Sequence, residues 1–239
     1  MISIAKEAEN YARRKMKDWT PPSVLDKACH RCGTPFELPN TPANRYITIC
    51  PECQNKREEA HPEIIEARRI KSFNSICPVA YQSINPALLP NPSKLEEVLK
   101  WEYGPDGMIF MGSTGSGKTR LAWALMKREV LSGRSIKALD SRAGLQYASI
   151  YSQSPQNVMH WVSRLVLAEI LLLDDIFKIK LTDSFEATIF TVIDQRISWH
   201  RPTIITSNDT GETLKARLSV DRADPLLRRL RECCSVIQF

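Results

Sequence analysis

The sequence predicts an α/β fold: a parallel sheet covered by helices on both faces, preceded by a small cysteine-rich unit. Three observations carry this. From about residue 93 onward, short apolar runs alternate with helix-period stretches, the pattern of strand–helix–strand units around a sheet buried on both faces. The first of these runs opens into a glycine-rich loop, GSTGSGKT at 112–119, and then a helical stretch. Two Cys-x-x-Cys pairs lie well upstream, in a stretch with little apolar sequence of its own.

In chain order, residues 1–60 hold an amphipathic segment and the cysteine pairs, 61–92 are rich in proline, and 93–239 carry the alternation. Ile4, Ala8, Tyr11, Ala12, Met16 and Trp19 recur at three- and four-residue steps. That spacing puts them on one face of a helix, which Pro21 and Pro22 would stop. Such a helix either packs on its own domain or docks on a partner protein.

Cys29-x-x-Cys32 and Cys50-x-x-Cys53 are separated by residues 33–49, the spacing of a four-thiolate zinc site. Four thiolates close a structural tetrahedral site, and so small a segment needs metal binding to fold. Zn2+ is therefore expected on Cys29, Cys32, Cys50 and Cys53, with His30 beside the ligands. Arg31, Arg45, Lys56 and Arg57 flank the pairs; a solvated basic surface and a DNA contact fit them equally. Cys77, Cys233 and Cys234 read as buried small residues. Seven cysteines without a secretory signal imply a reducing, cytoplasmic setting. No apolar run reaches the roughly 18 residues of a membrane span. The net charge of +6 is compatible with nucleic acid but is weak evidence for it.

The core elements follow in order. MIFMG (108–112) is a strand and 118–132 a helix. SIKALD (135–140) is the next strand. Residues 155–169 form a helix with Val158, Trp161, Val162 and Leu165 on one face. EILLLDD (169–175) is a buried strand, 183–199 a helix and TIITSN (203–208) a strand.

Gly112, Gly117, Lys118 and Thr119 fit G-x-x-x-x-G-K-[ST] in the strand–loop–helix context that motif requires. The glycines let the backbone of Gly112, Ser113, Thr114, Gly115, Ser116 and Gly117 turn its N–H groups toward one anion. The next helix presents its positive N-terminus to the same place. Lys118 would reach the outer phosphates of ATP, and the Thr119 hydroxyl would ligate Mg2+. Asp174, closing an apolar strand, would support that metal. Asp175 would orient and polarise the attacking water. Asn208, at the carboxyl edge of the sheet, either helps position that water or turns the chain toward Asp209. In DPLLRRLRE (224–232), Arg228, Arg229 and Arg231 form either a solvated basic face or an arginine finger for a neighbouring subunit's nucleotide. Spacing alone favours the solvated face.

Together these motifs resemble the AAA+ ATPases of the DnaC/DnaI helicase-loader and IstB transposition-helper group, over roughly residues 76–239. GSTGSGKT resembles their Walker A motif, LLLDDI their Walker B motif and TIITSN their sensor 1 strand. LLRRLRE resembles the segment that carries their arginine finger, with Arg229 the best match and Arg228 the next. CPVAYQSI (77–84) resembles the segment that lies near the base. The resemblance implies a P-loop NTPase (AAA+) three-layer core with strand order 5-1-4-3-2. It also implies homo-oligomers that share active sites between subunits, bound DNA (single-stranded before duplex), and a replicative helicase or a transposase as client. No separate helical lid or clear sensor 2 arginine is legible before Phe239, so hydrolysis is expected to lean on neighbours or partners. Some similar loaders grip the helicase through a zinc-containing N-terminal domain, which suggests that role for residues 1–60. The expected function is an ATP-dependent, DNA-associated helicase loader. A transposition helper and a nucleotide-switched DNA-binding module are the alternatives.

Overall fold

The computed structural model describes residues 24–39, 44, 47–83, 89–178, 181–209 and 211–239, apart from the side chains of 57–60 and 155. The amphipathic helix expected before Pro21 and the flanking Arg45 lie outside them. The chain divides into two compact units, residues 1–67 and 68–239.

In the smaller unit β1 (Val24–Ala28) pairs antiparallel with β2 (Pro35–Pro39), Ala28 facing Pro35 at the turn end. The turn needs Gly33, which sits at φ 73° and donates its N–H to Cys29 O at 2.8 Å. Cys50 leads into α1 (Pro51–Ala60), where Gln54 N–H closes the first turn on Cys50 O at 3.0 Å. Among the described residues the buried cluster of this unit is Cys29, Cys50 and Cys53, with Phe36 and Ile49 packed against it.

The larger unit begins within α2 (Pro62–Ile76) and continues through α3 (Val79–Gln82) and α4 (Ser93–Leu99). Then come β3 (Gly107–Met111), α5 (Lys118–Leu131), β4 (Ile136–Asp140), α6 (Ala143–Gln153), α7 (Pro155–Leu167) and β5 (Ile170–Asp174). A 3-10 turn (Ile176–Lys178) precedes α8 (Asp183–Ser198), β6 (Thr203–Ser207), α9 (Gly211–Arg217), α10 (Val220–Cys233) and β7 (Cys234–Gln238). Five parallel strands stand in the order β4-β5-β6-β3-β7. Counted from β3, this is the 5-1-4-3-2 order that the resemblance implied.

Strand alternation builds the three layers. Phe110, Ile170, Leu172, Ile204 and Ile237 pack with Leu121, Leu125 and Met126 of α5 and with Phe73, Leu89 and Val98. Leu139, Leu171, Leu173 and Ile205 pack on the opposite face with residues of α6 to α10. Both faces of β5 are covered, so Ile170 to Leu173 are all fully buried and the strand reads as an unbroken apolar run. The expected face of α7 holds: Leu165 is buried and Val158, Trp161 and Val162 pack against the core. Ser154 Oγ accepts from Asn157 N–H (3.2 Å) and Thr182 Oγ1 from Phe185 N–H (3.4 Å), capping α7 and α8.

At the amino edge of the sheet Arg196 is fully buried. It donates to the carbonyls of Leu165, Val166, Ala168, Glu169 and Pro202 and to Thr203 Oγ1. Burial pulls its pKa down to about 9, and the ring of carbonyls replaces its lost hydration.

None of β1, β2 and α1 to α4 was read from the sequence as an element, and within the core α6, α9 and β7 were missed. Only Ile237 of β7 is buried, so the edge strand carries little periodic signal.

Candidate functional site

The register lines up the carboxyl ends of four strands: Asp140 opposite Asp174, Asp174 opposite Thr206, and Met111 opposite Ser207. Every polar residue of the site grows from this edge. Gly112 sits at φ 153°, and a Cβ there would fall 2.5 Å from Phe239 O, because the end of β7 lies against it. Phe239 N–H donates to Met111 O at 2.8 Å. Gly117, at φ 98°, turns the loop into the N-terminus of α5.

Lys118 is only 5% exposed. Its Nζ donates to Gly112 O (2.8 Å), Ser113 O (2.7 Å) and Ser116 Oγ (3.2 Å). Burial lowers its pKa, against the pull of Asp175 and Asp174. A cation bonded only to neutral oxygens, at a helix N-terminus, suits an anion with several oxygens.

Asp174 Oδ1 accepts from Thr119 Oγ1 at 2.7 Å and from Thr206 Oγ1 at 2.6 Å. Burial raises the pKa of this carboxyl, opposed by the two hydroxyls. A hydroxyl and a carboxylate held together form the hard oxygen set that Mg2+ takes.

Asp175 turns away from its neighbour. It adopts φ 49°, a left-handed conformation that costs roughly 1–2 kcal/mol for most residues and less for Asp. Its N–H is held by Thr206 Oγ1 (2.9 Å) and Thr206 O (3.2 Å). The turn swings the carboxylate so that Oδ2 accepts from Asn208 Nδ2 at 3.1 Å. Oδ1 is buried without a hydrogen-bond partner. A buried carboxylate oxygen in that state is costly, and a water or ligand hydroxyl would satisfy it.

The structure thus brings together Lys118, Thr119, Asp174, Asp175 and Asn208. It seats Asn208 on the Asp175 carboxylate. Thr206 was missed by sequence reading; its signal is a polar residue, fully buried, inside the apolar strand TIITS. The arginines lie apart from the cradle. On α10, Ala223, Leu226, Leu227 and Leu230 form the buried face. Arg229 pairs with Asp194 of α8, its guanidinium 5.9 Å from the Phe190 ring centre. The Arg228 side chain is 72% exposed, with Glu232 at 3.9 Å.

In the smaller unit the sulfur atoms of Cys29, Cys32, Cys50 and Cys53 all lie within 4.8 Å of one another, with Cys32 and Cys50 at 3.6 Å. A tetrahedron of about 2.3 Å metal–sulfur bonds has edges of about 3.8 Å, so the four sulfurs are spaced to hold one soft cation. Cys29 Sγ accepts from Cys50 N–H (3.3 Å) and Arg31 N–H (3.4 Å). The Cys50 N–H leads in lowering the Cys29 pKa to about 6, whereas the neighbouring Cys32 sulfur and burial push Cys53 up to about 12. The second pair sits on the first turn of α1, and His30 is exposed.

A phosphate-loop strand separated from the acid-ended strand by one bearing a terminal amide, in the order 5-1-4-3-2, defines a P-loop NTPase of the AAA+ class. The chain belongs to the IstB-like ATP binding protein family, whose sequence profile matches residues 94–239. No curated protein matches it in sequence. Among solved structures, the DnaC helicase loader is similar at TM-score 0.53 and 19% identity, covering 71% of this chain and 99% of that one. Domain III of the Thermotoga maritima replication initiator DnaA is similar at 0.53 and 17%, covering 66% and 68%. AMPPCP-bound DnaA from Aquifex aeolicus is similar at 0.52 and 17%, covering 62% of this chain and 45% of that one. The matched region therefore spans less than half of that initiator, and at these identities the likeness is one of fold. Among the described residues no helix is long and apolar enough to cross a membrane.

Proposed function

We propose that the chain hydrolyses Mg2+-bound ATP at sites shared between its own copies, associates with DNA, and loads a replicative helicase. One observation carries the hydrolytic part: Asp175 presents a buried, unpartnered Oδ1 one residue beyond an Asp174 gripped by Thr119. In this reading Lys118 and the N-terminus of α5 bind the outer phosphates. Thr119 and Asp174 hold Mg2+, which when bound neutralises phosphate charge. Asp175 Oδ1 accepts a hydrogen bond from the attacking water, and Asn208 fixes the carboxylate that does so. Arg229, or the freely exposed Arg228, completes a neighbour's site. Cys29, Cys32, Cys50 and Cys53 hold Zn2+ and so fold a unit that grips the client. The loader assignment is supported by a fold likeness that spans 99% of the DnaC loader. The IstB-like family match, taken with the resemblance to transposition helpers, supports a second reading, a helper ATPase for a transposase.

A pull-down with the full chain, ATP and Mg2+ decides between clients. A replicative helicase should be retained, and lost on Cys50→Ser. Recovery of a transposase instead would sink the loader in favour of the helper. In the same assembled protein Arg229→Ala should bind nucleotide but lose turnover. If Arg228→Ala alone does so, Arg228 is the finger and Arg229 serves to dock α10 on α8.

A further inference from the structure

Arg217 ends α9, an element that no motif marks, yet its guanidinium touches both loops that carry the reactive side chains. Nε lies 3.0 Å from Asp209 Oδ1 and 2.9 Å from Oδ2, and Nη1 donates to Lys178 O at 2.9 Å. Asp209 directly follows Asn208, and its own N–H donates to Ser207 Oγ at 3.0 Å. Lys178 N–H closes the 3-10 turn on Asp175 O at 3.0 Å. Arg217 therefore grips the chain just past Asn208 on one side and one tight turn past Asp175 on the other. Between those grips lies the 3.1 Å bond from Asn208 to Asp175.

The chemistry of the contact suits an arginine. The Asp209 side chain is 11% exposed, and a carboxylate so buried needs a charged or hydrogen-bonding partner. A planar fork can bond that carboxylate and a carbonyl on a second loop at once; the compact ammonium of lysine cannot match this geometry. Exposed ion pairs contribute little, but here one partner is buried and the cation reaches two segments. The Arg217 side chain is itself 44% exposed, so shortening it opens no core cavity.

We propose that Arg217 is a positioning residue for hydrolysis: through Asp209 and the Lys178 carbonyl it holds the two loops in register, so that Asn208 aims Asp175. The inference rests on reading Asp175 and Asn208 as the water-orienting pair. Arg217 reaches neither Lys118 nor the glycine-rich loop, so nucleotide binding is independent of it.

The test uses the full chain with ATP and Mg2+. Affinity for a fluorescent ATP analogue, kcat, KM and melting temperature are measured for Arg217→Ala, Arg217→Lys, Asp209→Asn and the Ala/Asn double variant. Misplacement of about an ångström can lower a rate by up to about 100-fold, so Arg217→Ala should lower kcat about tenfold or more. Affinity and KM should stay within about twofold, because the cradle is untouched. Arg217→Lys should restore only part of kcat, and the double variant should be no slower than the slower single one, as for two residues acting as a unit. A wild-type kcat in folded Arg217→Ala overturns the inference, as does a loss of affinity as large as the loss of kcat. Should the alanine variant not fold, a wild-type kcat in Arg217→Lys does the same. Asp175→Asn separates the layers. If it hydrolyses ATP normally, the site reading fails and the inference with it. If it is inactive while Arg217→Ala turns over normally, only the role of Arg217 is wrong.

Discussion

The two units fix their key side chains by opposite means. In the larger one the sheet comes first: Ile170, Leu171, Leu172 and Leu173 are fully buried, and Asp174 and Asp175 are simply where the buried strand surfaces. In the smaller one the buried cluster among the described residues is Cys29, Cys50 and Cys53, with Phe36 and Ile49 against it. Burying a large apolar side chain contributes about 1.5–3 kcal/mol, and the larger unit has dozens of such positions. A site on the sheet edge is therefore built before its ligand arrives, whereas the cysteine site would be completed by the Zn2+ proposed for it.

The largest effect expected is on the smaller unit. Structural zinc contributes an apparent 10–16 kcal/mol or so in small zinc-finger peptides, more than so small a unit holds in net stability. Chelating the metal from the full chain should strip amide-exchange protection from β1, β2 and α1 and leave the strands of the larger unit protected. If residues 24–39 stay protected without metal, the contrast between the units is wrong.

Lys118→Ala comes next and acts on binding alone. Losing charge-assisted hydrogen bonds to phosphate, at about 1.5–3 kcal/mol each, should weaken ATP affinity about 100-fold or more. The melting temperature should not fall, because the variant also removes a buried cation. A fluorescent ATP analogue and a thermal melt check both halves. A collapsed melt would show that Lys118 supports the loop and not only the ligand.

The smallest effect expected is on Asp174, where the buried strand meets the site. Burial raises the Asp174 pKa. A raised carboxyl pKa favours the folded state fully below the unfolded value near 4, and that contribution is lost as pH rises through the higher folded value. In metal-free protein Asp174→Asn removes the group that loses stability. Its gain over the native chain, expected at about 1 kcal/mol or less, should be largest at pH 7 and vanish below about pH 4. Denaturant melts at several pH values in EDTA read this out. The opposite trend would mean that Thr119 and Thr206 outweigh burial.

Motifs with short-range logic were legible: GSTGSGKT, the paired acids after ILLL, and the two Cys-x-x-Cys pairs each depend on residues within a few positions. The strand and helix bounds around the first two were legible for the same reason. Thr206, Arg217 and β7 were not. Arg217 serves Lys178, and Thr206 serves Asp174, only because the sheet order sets β6 beside β5. The edge strand β7 buries too little for its pattern to show, although its end backs Gly112.

The chain's own chemistry was enough to single out the groups proposed to hold phosphate and cation, because glycine conformation, a lysine beside a helix start and thiol spacing are local properties. How those groups are aimed came from packing across the sheet. The left-handed turn at Asp175, the seat of Asn208 on its carboxylate and the pairing of Arg229 with Asp194 join residues distant in sequence, and no local preference encodes them.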